Sequence, residues 1–313
     1  MAVANWHRER QGTILLFESA DAVTWRYRAA LDSSDGIYGQ MWECPDFFSL
    51  GGKQALIVSA QKMRAMEGFH PGHGTMAILG SYDESQCRFI RETVQPLDEG
   101  LDFYAPQTVL APDGRRILIA WMENWQYCKR TPRLHPWYAQ MIVPREITIE
   151  DSRLIQRPIR EIETLWRDMI RYDNVTVQQE MALPGVEGRL LDAELTVRPL
   201  SGPCRFTVTL ARDQDHGVTV EWDMACGELL FDRSRDGSCQ DIAHIRRVRL
   251  EKQDETLSLR ILLDKESVEL FLNGGRQTVT AVLNAPGTAS DITFASDAPV
   301  LLSVVAHPLN NYD

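Results

Sequence analysis

The sequence has 313 residues, enough for one large or two ordinary domains, and 44% of them are hydrophobic and 25% charged, as in globular proteins. The formal net charge is -11 and the pI is near 5.2, so the surface repels phosphate backbones and nucleic acid is not an expected partner. No segment reaches the ~20 apolar residues of a membrane helix, and no basic and apolar leader follows Met1, which predicts a cytoplasmic protein without a membrane partner.

Short strand-like runs dominate the first half of the chain. They lie at 13–18 (TILLFE), 54–59 (QALIVS), 75–80 (TMAILG) and 116–122 (RILIAWM). Turn residues punctuate them, for example the glycine pair at 51–52, and this spacing predicts an all-β sandwich, barrel or propeller. Helical periodicity is confined to one short stretch at 159–170.

The pattern changes near Asp173, after which the strands are longer and alternate more regularly. The predicted strands lie at 190–197, 205–210, 217–222, 248–251, 257–263, 267–272 and 301–306. Alternating strands joined by hairpin turns predict a sandwich of two antiparallel sheets. The sequence therefore predicts two all-β domains, at 1–152 and 173–313, with a linker at 153–172.

The segment 42–48 (WECPDFF) sets two carboxyl groups, Glu43 and Asp46, among aromatic residues. An apolar cleft disfavours a charged carboxylate, so a carboxyl group in such a place can donate a proton near neutral pH. Pro45 is expected to hold Cys44 in an extended conformation. A solvated acidic turn beside a packed Trp fits the same residue types equally well.

Two other groups of residues carry weaker signals. His70 and His73 lie three apart in a Pro/Gly turn, too few ligands for a metal centre, so no metal is predicted. Lys62 and Arg64 have side chains suited to a sugar phosphate or to a solvated surface, and their spacing does not separate the two.

Five segments together resemble, in order along the chain, the motifs of glycoside hydrolase family 32, the invertase-type β-fructofuranosidases. They are 42–48 (WECPDFF), 101–107 (LDFYAPQ), 119–122 (IAWM), 141–147 (MIVPREI) and 263–274 (LDKESVELFLNG). They span nearly the whole chain, so the resemblance does not depend on one motif.

The resemblance implies a five-bladed β-propeller followed by a C-terminal β-sandwich. It also implies retaining cleavage of terminal β-D-fructosyl units, from sucrose, sucrose 6-phosphate or a fructan, with Glu43 as general acid/base. The expected substrate-binding residues are Trp42, Asp102, Tyr104 and Trp121, although a Trp in an apolar strand is more often part of the core. No cofactor is expected, because two carboxyl groups and water suffice for this chemistry.

Two family motifs do not occur in the sequence. The nucleophilic Asp of the family lies in an Asn-Asp-Pro motif and a second Asp lies in an Arg-Asp-Pro motif, and neither tripeptide is present. The chain is therefore expected to lack the first blade and part of the second, and to be inactive alone. A missing N-terminal segment or a second chain is the expected partner, and the alternative is a non-catalytic carbohydrate-binding relic.

Overall fold

The computed structural model describes residues 1–7, 11–66, 68–125, 139–238, 242–251 and 256–311. Among these residues the regular secondary structure is antiparallel β-strand apart from one short 3-10 helix, which confirms the predicted all-β class. They form two compact units, and the chain passes from the first to the second between Ile159 and Arg160. None of the helices among the described residues has the length and apolar character to cross a membrane.

The described residues of the first unit form three antiparallel sheets. The strands are β1 (Ala2–His7), β2 (Gln11–Glu18), β3 (Arg26–Ser33), β4 (Met41–Leu50), β5 (Lys53–Met63), β6 (Gly72–Asp83), β7 (Arg88–Pro96), β8 (Tyr104–Leu110), β9 (Arg116–Met122), β10 (Gln140–Met141), β11 (Arg145–Glu150) and β12 (Arg153–Pro158). The sheets are β1-β2-β3, β4-β5-β6-β7, and a third in which β9 pairs with β8, β10 and β11, and β11 pairs with β12. Successive meanders of this kind are the blades of a β-propeller, as predicted.

Local sequence explains how the middle sheet forms. Strands β4 and β5 are joined by the two-residue turn Gly51-Gly52, and both glycines have positive φ, as this type of hairpin turn requires. Strands β5 and β6 carry continuous buried runs, because the sheet is covered on both faces. Side chains of the first sheet, such as Ile14, share a core with Leu56 and Ile78 of the middle sheet.

The second unit begins with a 3-10 helix (Arg160–Leu165) and contains two antiparallel sheets. Its strands are β13 (Ile170–Val177), β14 (Leu191–Pro199), β15 (Arg205–Arg212), β16 (Gly217–Asp223), β17 (Glu228–Arg235), β18 (Ile245–Arg249), β19 (Leu257–Asp264), β20 (Ser267–Leu272), β21 (Gln277–Val282), β22 (Asp291–Ser296) and β23 (Val300–Pro308). The orders are β13-β23-β14-β19-β20-β21 and β18-β17-β16-β15-β22. Strands such as β15 and β23 alternate buried and partly exposed residues, as in the predicted sandwich.

The structure differs from the predicted linker at 153–172. Residues Arg153–Pro158 form β12, which pairs along its whole length with β11 and buries Leu154 and Ile155. Pro158 sits at the end of that strand, where a missing N–H is tolerated. The short helical stretch predicted at 159–170 is only the 3-10 helix, after which β13 begins.

Candidate active site

A β-bulge in β4 places Glu43 at the end of a regular ladder. Glu43 pairs with Ser59 of β5, but the next pair is Asp46 with Ile57, so Cys44 and Pro45 together oppose one residue. Cys44 has a φ of 49°, so its backbone is not extended, and the prediction from the sequence is wrong at this residue. The extra residue of the bulge turns the chain, and Pro is tolerated there because it has no N–H to contribute to the ladder.

The same arrangement recurs in the neighbouring sheet. Tyr104 of β8 pairs with Trp121, the next pair is Gln107 with Ile119, and Ala105 between them has a φ of 51°. A proline follows the positive-φ residue in both bulges. Two strands of adjacent sheets therefore make matching bends, and bulges are over-represented beside active sites.

The two bulges bring Glu43 and Tyr104 into contact. The Tyr104 hydroxyl donates to Oε2 of Glu43 over 2.9 Å, and Nε2 of Gln61 donates to the same oxygen over 2.7 Å. Within the described part of the chain, Oε1 of Glu43 has no hydrogen-bond partner, and the side chain is half-buried. This carboxyl group can therefore carry a proton on Oε1 and pass it to a bound molecule.

Further hydrogen bonds fix the bulges against each other. The Asp46 carboxylate accepts from both the backbone N–H and the hydroxyl of Thr108, over 2.7 and 2.6 Å. Gln107 donates to the carbonyl oxygen of Cys44 over 3.0 Å, and the Ala105 N–H donates to the Ser59 hydroxyl over 3.1 Å. Such bonds restrict the motion of the two strands that hold Glu43 and Tyr104.

Burial and the Glu43 charge set the protonation of the neighbouring groups. The pKa of Tyr104 is raised, mainly by burial and secondly by the hydrogen bond to Glu43, so the phenol stays neutral and donates. Burial and then Glu43 also raise the pKa of the Cys44 thiol, which makes this thiol a poor nucleophile. Burial lowers the pKa of His73 and outweighs the attraction of Glu43 for an imidazolium.

The structure brings some of the predicted site residues together. Trp121 is directly paired with Tyr104, so the two side chains share a face of the sheet, and the Trp121 ring contacts Trp125 edge-on with centroids 5.0 Å apart. Asp102 lies two residues before Tyr104 and is 1% exposed. Arg145 lies over the ring of Phe103.

The side chain of Trp42 does not lie on the same face of the sheet as that of Glu43. It is completely buried in the core shared by the first and middle sheets, and its indole N–H donates to the Tyr38 carbonyl over 2.8 Å. Adjacent residues of a strand point to opposite faces, so Trp42 and Glu43 are separated by the sheet itself. Trp42 is a core residue and is not part of the candidate site.

Sequence reasoning did not identify Gln61. It is a polar residue at the end of an apolar strand, and no motif distinguishes it from a surface Gln. Its proximity to Glu43 depends on the pairing register of β4 and β5, which the sequence alone does not give.

The described residues contain no group of three or more His, Cys, Asp or Glu side chains placed to hold a metal ion. His70 and His73 are among the described residues, whereas Glu67, the acidic residue nearest to them in the sequence, lies outside them.

Comparison with known proteins identifies the family models that this chain matches. Residues 1–158 match the model of the glycosyl hydrolases family 32 N-terminal domain, and residues 161–307 match the model of the glycosyl hydrolases family 32 C terminal.

Individual relatives agree with the family match. The sucrose-6-phosphate hydrolase of Salmonella typhimurium is 32% identical over 308 residues, covering 96% of this chain and 60% of that protein. The raffinose invertase of Escherichia coli is 33% identical over 285 residues, covering 86% of this chain and 55% of that protein. A solved GH32 beta-fructofuranosidase of Bombyx mori superimposes with a TM-score of 0.80 at 27% identity, over 99% of this chain and 63% of that one. The chain spans about half the length of several curated relatives that it matches.

Proposed function

The chain belongs to glycosyl hydrolases family 32, and on that premise we propose that it supplies the acid/base half of a retaining β-fructofuranosidase. The observation that carries the proposal is the Glu43 carboxyl group, with two donors on one oxygen and the other oxygen open. In the first step Glu43 protonates the oxygen of the leaving sugar, and in the second it takes a proton from the attacking water.

The substrate is a terminal β-D-fructosyl unit of sucrose or sucrose 6-phosphate. A solved sucrose complex of the Bombyx mori enzyme and the name of the Salmonella relative support a sucrose-type ligand. We place the fructosyl ring against Trp121, because Asp102 and Tyr104 are each only 1% exposed. A cytoplasmic location is part of the proposal and is carried by the sequence alone.

A retaining mechanism needs a second, nucleophilic carboxylate about 5–5.5 Å from the acid/base. The 313 residues contain no Asn-Asp-Pro motif, so we propose that the nucleophile comes from polypeptide outside them, as an N-terminal segment or a second chain. The same absence favours one alternative function, a non-catalytic carbohydrate-binding protein.

The test compares two preparations. One is the purified 313-residue chain, and the other is the complemented mixture, which also contains the part of the Salmonella enzyme that the match leaves uncovered. We expect no glucose release from sucrose by the chain alone, and release by the complemented mixture. Hydrolysis by the chain alone would refute the external nucleophile. Binding of sucrose without hydrolysis in either preparation would favour the carbohydrate-binding alternative.

Comparing sucrose with sucrose 6-phosphate in the complemented mixture then identifies the preferred substrate. A higher kcat/KM for the phosphorylated sugar would implicate cationic side chains near the site, such as Lys62, whose charge is close enough to lower the pKa of His73.

A further inference from the structure

Gln61 lies on the same face of the middle sheet as Glu43. Glu43 pairs with Ser59, and Gln61 is two residues further along β5, which makes it the diagonal neighbour of Glu43. Its side-chain amide spans that diagonal and donates to Oε2 over 2.7 Å.

The backbone of Gln61 is fixed on both sides. Its carbonyl oxygen accepts from the Gln40 N–H over 2.8 Å, and Gly39, with a φ of 81°, packs so closely that a Cβ there would lie 2.7 Å from this oxygen. The register between β5 and β6 shifts between Ala60 and Met63, so Gln61 and Lys62, which has a φ of 55°, together oppose one residue of β6. The amide therefore reaches Glu43 from a backbone that has little freedom to move.

The two donors select one oxygen of the carboxyl group. Gln61 and Tyr104 both donate to Oε2, and an oxygen that accepts from two donors is a poor place for the acidic proton. We propose that Gln61 is a positioning residue that, with Tyr104, holds Oε2 so that Oε1 carries the catalytic proton. The proposal rests on the proposed function, since it assigns the atom through which Glu43 acts.

Proton transfer to and from Glu43 takes place at Oε1. The Oε1–H bond breaks and the proton passes to the glycosidic oxygen, while the electrons of the breaking C–O bond stay on that oxygen and the external nucleophile binds the fructosyl carbon. The negative charge left on Glu43 is stabilised by the two donors at Oε2. In the second step water gives its proton back to Oε1 as its oxygen binds the fructosyl carbon and displaces the nucleophile.

The first test is spectroscopic and needs no turnover, so its result is independent of whether the proposed hydrolysis occurs. The side-chain amide resonance of Gln61 is identified by its loss in Gln61→Met, and it is followed against pH in the purified chain. We expect one pH-dependent step, absent in Glu43→Gln and still present in Tyr104→Phe. A resonance without that step, or a step that persists in Glu43→Gln, would overturn the proposal.

The second test separates acid positioning from a general structural effect. In the complemented mixture, Gln61→Met should lower kcat for sucrose about tenfold, and kcat for p-nitrophenyl β-D-fructofuranoside less than about twofold, because p-nitrophenolate leaves without a proton. Equal losses on both substrates would contradict the assignment. Gln54→Met is the matched control, since Gln54 lies at the other end of the same strand and its amide donates to Ser49.

Discussion

Two carboxylates on β-strands, one in each unit, differ in how their oxygens are used. Asp192 of β14 accepts two bonds from Arg260, at 2.9 and 2.7 Å, and a third from the Trp166 indole at 2.9 Å, so both of its oxygens are occupied. Glu43 of β4 receives both of its hydrogen bonds on one oxygen.

The difference agrees with a structural role for Asp192 and with the proposed catalytic role of Glu43. Asp192 is 2% exposed and compensates the charge of Arg260, which is what a buried carboxylate needs in order to be tolerated. Glu43 is half-buried, and within the described residues its Oε1 has no hydrogen-bond partner. Substitutions at the two positions should therefore affect different properties.

The largest expected effect is on catalysis. Glu43→Gln in the complemented mixture should lower glucose release from sucrose by about 10²–10⁴-fold, because the amide accepts from Gln61 and Tyr104 but has no acidic proton to give. The melting temperature of the chain should stay the same. Retention of most of the activity would show that Glu43 is not the acid/base.

The largest expected effect on stability is at Asp192. Asp192→Ala leaves Arg260 without its main ion-pair partner in a mostly buried place, so the free energy of unfolding should fall by about 3 kcal/mol. Denaturant unfolding of the purified chain measures it. Asp173→Ala is the control, because the pair of Asp173 with Arg171 is exposed and its loss should leave the transition unchanged. Equal losses of unfolding free energy in the two variants would contradict a structural role for Asp192.

A smaller loss is expected when one donor to Glu43 is removed. Tyr104→Phe leaves Oε2 with Gln61 alone and keeps the buried ring, so kcat for sucrose in the complemented mixture should fall by about tenfold, the equivalent of one modest hydrogen bond. An unchanged kcat would mean that the Tyr104 hydroxyl has no part in holding the acid.

The smallest effect is a shift in the titration of His73. The negative charge of Glu43 raises the pKa of His73, against the larger lowering by burial. Removing that charge in Glu43→Gln should therefore lower the pKa of His73 further, as followed by NMR of the imidazole in the purified chain. A rise, or no change, would contradict the proximity of the two groups.

The sequence predicts the strands of the two units better than the details of the site. The strand at 116–122 coincides with β9, and that at 267–272 with β20, because alternation and turn residues are local signals. The strands β17 and β22 were not predicted, and the segment 153–172 reads as a linker although β12 lies within it. Strand β12 has few hydrophobic residues, and they are buried only when it pairs with its partner strand. The local pattern therefore does not indicate a strand.

The site depends on features that are not local. Glu43, Tyr104 and Trp121 were predicted through motifs, but the positive φ of Cys44 and the contact of Gln61 with Glu43 depend on the register between strands. Trp42 was assigned to the substrate because it belongs to the same motif as Glu43, whereas strand alternation sends it into the core.

Chemical rescue of Glu43→Ala by azide in the complemented mixture, with p-nitrophenyl β-D-fructofuranoside as substrate, tests most directly whether Glu43 is the acid/base. The p-nitrophenolate group leaves without being protonated, so the fructosyl-enzyme intermediate forms even when the acid is missing. Azide then attacks the intermediate in place of water, and it needs no general base. If Glu43 is the acid/base, the rate rises with azide and the product is β-D-fructofuranosyl azide, with configuration retained. An α-configured azide would make Glu43 the nucleophile, and no acceleration in a mixture whose unsubstituted form is active would show that Glu43 is not the acid/base.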